Sequence, residues 1–123
     1  METIEEIVEN ESRRYHVGSE QCRELLDRMD KKAEQLRISE DARGSNIQRV
    51  GSVTRFCANP YNFLLKLTEA YEGAKEIVQA QEIISSLYWT YESKRKFGDE
   101  QRFTEDEIET TLYVLTEKSL RII

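Results

Sequence analysis

Residues 59–98 read NPYNFLLKLTEAYEGAKEIVQAQEIISSLYWTYESKRKFG, and the number of helices in the fold turns on how this stretch divides. Asn59 can cap a helix with its side-chain carbonyl. Pro60 at the first helical position brings a pre-set φ and lacks only an amide that would have had no partner. Apolar residues then recur at mixed three- and four-residue steps, at Leu64, Leu67, Tyr71, Ala74, Ile77, Val78, Ile84, Leu87, Tyr88 and Tyr91. Lys94, Arg95 and Lys96 put cations where the helix dipole is negative, and Gly98 suits the left-handed residue that follows a helix. The pattern predicts one long helix over about 60–97. It would carry a local irregularity at Gly73, since Gly costs about 0.5–1 kcal/mol relative to Ala in a helix interior.

On the N-terminal side, Thr3 and Glu6 have the spacing of a capping box and predict a helix from about residue 4. The run His16-Val17-Gly18-Ser19 breaks it and supplies a new cap. Cys22, Leu25, Leu26, Met29, Ala33 and Leu36 then keep to one face of a second helix through about four turns. The stretch from Ser39 to Ser45 is small, polar and without periodic apolar residues, so it reads as the principal loop. Ser45 with Gln48 would cap a short or irregular third helix bearing Ile47, Val50, Val53 and Cys57, weakened by Gly51-Ser52 and by β-branched residues. On the C-terminal side, Thr104 and Glu107 form the best capping box of the chain, with Phe103 placed to pack against Ile108 and Leu112 and Leu115 on the apolar side. The expectation is an all-α antiparallel bundle of four or five helices in a single domain, residues 1–123, with the 60–97 helix as its spine.

Composition agrees with that class and limits the functions. The chain has 123 residues, 18 Lys+Arg against 24 Asp+Glu, and a net charge of −6. One Pro and five Gly are too few for an all-β fold, which needs a turn signal every ~8–12 residues. Hydrophobic residues make up 38%, thin for a domain that must fill one core, so a core completed between two chains is expected. Two cysteines without a signal-peptide pattern point to the cytoplasm, and no apolar run approaches the ~18–20 residues that span a bilayer. An acidic surface opposes a phosphate backbone. Arg43, Arg49 and Arg55 step by six, so they turn ~240° apart on a helix and form no groove-reading stripe. Nucleic acid is therefore a remote partner, conceivable only as an accessory-subunit contact on a patch assembled in three dimensions.

Chemistry-bearing residues are few. His16 is the single histidine, too far in kind and spacing from Cys22 to suggest more than a chance pair, and no zinc-type spacing or Gly-rich phosphate loop occurs. Glu5, Glu6 and Glu9, followed by Glu24 and Asp27, give E-E-x-x-E and then E-x-x-D, a pattern whose carboxylates share helix faces and could hold Mg²⁺ between two helices. This pattern resembles the metal motif of the all-α nucleoside triphosphate pyrophosphohydrolases over the first ~27 residues. The resemblance implies Mg²⁺ as cofactor and triphosphate cleavage as activity. The sequence departs from that family in the short run before Glu5 and in lacking a basic cluster for phosphates beside the acids. Otherwise no cofactor is expected.

Aromatic residues concentrate in one third of the chain, at Tyr88, Trp89, Tyr91 and Phe97. On a helix positions 88 and 91 share a face while 89 turns away by ~100°. A helix apolar on two sides is either central or meets a partner, and Trp and Tyr are the commonest anchors of protein interfaces. The leading expectation is a small acidic non-enzymatic protein-binding factor, an adaptor, an assembly or secretion chaperone or an inhibitor, acting as a homodimer through these residues.

Overall fold

The computed structural model describes residues 2–14, 19–97 and 104–120. The described residues form six α-helices and no β-strand: α1 (Ile4–Arg13), α2 (Ser19–Gln35), α3 (Glu40–Phe56), α4 (Pro60–Glu72), α5 (Ile77–Phe97) and α6 (Glu105–Leu120). The all-α bundle holds, with more helices than the expected four or five.

The expected 60–97 helix is two helices. Gly73 closes α4, its amide donating to the Glu69 and Ala70 carbonyls, and α5 begins only at Ile77. The side chain of Gln79 caps the new start by accepting the Lys75 amide at 2.6 Å, and it is buried there. The reason lies in the phase of the core residues. Leu64, Leu67, Tyr71 and Ala74 are buried in steps of three and four, and a straight helix would next bury position 78. Val78 is exposed, and apolar burial resumes at Ala80, Ile83, Ile84, Leu87 and Tyr91. A two-residue slip rotates the apolar face by about 200°, which a continuous helix cannot absorb.

The expected loop over 39–45 is the first part of α3, which runs unbroken for 17 residues. Its cap is Ser39, whose side chain accepts the Ala42 amide at 3.3 Å, and Ser45 lies inside the helix. The chain reverses earlier, at Leu36–Ile38. Arg37 takes the left-handed conformation (φ 63°), its amide reaches Glu34 O at 3.0 Å, and the Ile38 amide reaches Ala33 O at 3.0 Å. This is a Schellman ending of α2, sealed by burial of Ile38 and Ala33, and made without the glycine that usually marks it.

The core joins Val8 of α1, Cys22, Leu25, Leu26 and Met29 of α2, Ile47, Val50 and Val53 of α3, Phe63, Leu64, Leu67 and Tyr71 of α4, Ile83, Ile84 and Leu87 of α5, and Leu112 of α6. α4 is the spine, packed against α2, α3 and α6, while α1 lies across α2 and α3 and α5 lies between α3 and α6. The α1–α3 crossing depends on small residues. A Cβ on Gly51 would sit 2.0 Å from Glu11 Oε2, and one on Gly44 would sit 3.3 Å from Ile7 Cδ1.

Candidate functional site

The outward side of α5 and α6 carries the largest exposed apolar side chains. Trp89 is 71% exposed and Val78 54%, both on α5, and Tyr113 and Val114 of α6 are 68% and 53% exposed. α6 folds back along α5: Lys94, near the end of α5, donates to Glu107 in the first turn of α6, and Lys66 of α4 donates to Glu109. These two charge pairs hold α6 while Leu112 packs inward. The pairing with Lys94 is also the main reason the Glu107 carboxyl lies below its ordinary range. Glu107 further completes the box predicted with Thr104, its amide donating to Thr104 Oγ1 at 3.2 Å and its carboxylate accepting the Thr104 amide at 3.3 Å.

The structure separates the four aromatic candidates. Tyr91 is buried, edge-on to Phe56 with ring centroids 5.4 Å apart, and so belongs to the α3–α5 packing. Tyr88 is half-buried beside it, centroids 5.6 Å apart, with the Arg49 guanidinium 5.4 Å from its ring centre. Its phenol is raised above the ordinary value chiefly by a hydrogen bond with Glu92. Trp89 alone of the three faces solvent. The side chain of Phe97 lies outside the described residues. Tyr113, Val114 and Val78 were not among the sequence candidates. Val78 fell in the apolar pattern that the sequence assigned to the core, and its exposure, with that of Tyr113 and Val114, follows from the way the helices pack.

The acidic candidates do not converge. Glu5 and Glu6 occupy the exposed first turn of α1, where they favour the positive end of the helix dipole, and Glu24 is exposed on α2. Between Glu9 and Asp27 stands Arg23, 2.7 Å from Glu9 Oε2 and 3.9 Å from Asp27 Oδ2, so a guanidinium takes the position a shared cation would need. The Asp27 carboxyl is pushed up mainly by burial, against the pull of Arg23 and Lys31. Among the described residues no group of three His, Cys, Asp or Glu side chains is placed to hold a metal ion. His16 lies outside the described residues. Cys22 and Cys57 form no disulfide and are both buried. Burial raises both thiols, that of Cys57 to about 12, and Cys57 Sγ donates to Val53 O at 3.2 Å. Neither has the exposed, low-pKa setting of a nucleophile.

A depression lies between α1 and α3. It has a volume of about 260 Å³ and is lined by Asn10, Glu11, Arg14, Gln48, Ser52 and Arg55 among others. Glu11 is buried in its wall and neutralised there by Arg55, with Arg14 at 3.9 Å. Its charges are thus spent on the helix crossing. Among the described residues no helix is long and apolar enough to cross a membrane. No protein-family model, no curated protein and no solved structure matches this chain.

Proposed function

We propose that the chain is a small non-enzymatic protein-binding factor, of the adaptor, assembly or secretion chaperone or inhibitor kind, that works in the cytoplasm as a homodimer and through the outward face of α5 and α6. The observation that carries this reading is Trp89, 71% exposed on a helix whose other side is in the core. An indole left in water forgoes roughly 1.5–3 kcal/mol of burial free energy, and Trp is the side chain most enriched at the energetic centres of interfaces. Val78 on α5 and Tyr113 and Val114 on α6 add exposed apolar side chains to the same two helices. Two thiols held inside the core without a disulfide suit a reducing compartment.

The test is affinity capture from the native host with the wild type, Trp89→Ala and Tyr113→Ser, followed by binding measurements with the purified captured protein. One defined protein, retained by the wild type and weakened at least about tenfold by Trp89→Ala, is expected. Equal retention by all three chains would remove the α5–α6 face as the binding site of the captured protein.

A further inference from the structure

Glu82, Trp89 and Lys96 stand seven residues apart on α5. Seven residues fall about 20° short of two full helical turns, so the three side chains run nearly in line. Ser85, also exposed, lies between Glu82 and Trp89. The line has a polarity: an acid toward the start of the helix, an indole at its middle and a base toward the end. Glu82 accepts the Ser86 hydroxyl at 2.8 Å, which keeps its carboxylate along its own helix, half-exposed. A stripe ordered acid–indole–base is complementary to itself when one copy is reversed.

We propose that a second copy of this chain docks on this stripe, with the two α5 helices antiparallel and a two-fold axis passing beside Trp89. The proposal rests on the protein-binding reading above and names the partner of its α5 face. In this register Trp89 meets Trp89 of the second copy, and Glu82 of each copy faces Lys96 of the other, about 10 Å to either side of the axis at 1.5 Å per residue. Two-fold symmetry makes the Glu82–Lys96 contact twice, while the Trp89 pair sits once at the axis. Neighbouring registers lose the match. Sliding by four residues sets Glu82 against Glu92 of the other copy, like against like. Sliding by eleven brings Val78 to Trp89 but leaves Glu82 opposite Ser85. The surface is small, about 27 Å from Val78 to Lys96 and about 10 Å across, well under the ~800 Å² per partner of a standard interface. A dissociation constant of about 10–500 μM is expected.

Sedimentation equilibrium of the full chain from about 10 μM to about 1 mM spans that range. Trp89 is the single tryptophan and reports its own burial. The expected result is a monomer–dimer equilibrium whose Trp89 emission moves to shorter wavelength as dimer forms. Glu82→Lys and Lys96→Glu should each weaken the dimer at least about tenfold, and the two together should return it to within about threefold of the wild type. Thermal melting of each variant, expected to be close to wild type because these side chains lie at the surface, verifies that the folds are intact. A wild type that stays monomeric to about 1 mM, or two reversals whose effects add without recovery, would overturn the proposal. If that happens while Trp89→Ala still loses the captured protein, the face belongs to a foreign protein and the broader reading survives. Recovery in the double reversal, with capture indifferent to Trp89→Ala, keeps the self-pairing and removes a foreign protein as the occupant of this face.

Discussion

At the residue scale the most constrained contact is that of Gly51 with Glu11. The missing side chain at 51 makes the space in which a buried carboxylate crosses from α1 to meet Arg55 on α3. Ala is the better helix former by about 1 kcal/mol, so on an exposed helix Gly51→Ala would stabilise. Here the added Cβ would fall 2.0 Å from Glu11 Oε2 and 3.1 Å from its Cγ, so the carboxylate must swing out of its place against Arg55 while Cγ gives by a few tenths of an ångström. Displacing the partner of a part-buried Arg costs about 1–3 kcal/mol, which exceeds the propensity gain. Gly51→Ala is therefore expected to lower stability by about 1 kcal/mol in urea unfolding. In a Glu11→Ala background the same change is expected to raise it by about 0.5–1 kcal/mol. A destabilisation of the same size in both backgrounds would show that something other than Glu11 fills the space.

At the element scale the helix ends divide into those marked by local chemistry and those set from a distance. Thr3, Asn59 and Thr104 each accept the amide three residues on, as their spacing in the sequence predicts. The start of α5 has no such mark. Its cap is Gln79, a residue inside the helix that reaches back to the Lys75 amide, a bond made possible because neighbouring elements bury the side chain. Gln79→Ala removes that bond and leaves a small void, for an expected loss of about 1–3 kcal/mol. Hydrogen exchange at the Lys75 amide should quicken more than at Asn62, whose Asn59 cap is independent. Unchanged exchange at Lys75 would mean that the joint between α4 and α5 is held by burial alone.

At the scale of the whole molecule, two acids of the core govern the response to alkali. Burial holds the Cys57 thiol and the Tyr71 phenol at about 12, against ordinary values of 9.0 and 10.0. Between those values the unfolded chain releases protons that the folded chain keeps. Stability is thus full below about pH 9 and falls progressively toward pH 12. The melting temperature is expected to drop across that window, and Cys57→Ala and Tyr71→Phe should each flatten the drop. A profile unchanged by both substitutions would assign the alkaline loss to other groups.

The helical class, the seam of α2 from Cys22 to Ala33, and three of the capped starts were legible in the sequence. Each depends on residues within one or two turns of one another, where spacing and capping chemistry suffice. The aromatic third of the chain was legible as a region but not residue by residue. Tyr88, Trp89 and Tyr91 are chemically alike, and which of them faces water depends on the side that α5 turns toward α3. The polar start of α3 read as a loop because its one essential signal, the left-handed turn at Arg37, is made without glycine. The division of 60–97 was present only as a two-residue slip in the apolar pattern, hidden while Val78 counted as core. Local sequence thus determined the helical class and how three of the six described helices begin. Tertiary packing decided where the long segment breaks, that Arg23 stands between Glu9 and Asp27, and that Trp89 is left outside, because each of these depends on neighbours supplied by distant parts of the chain.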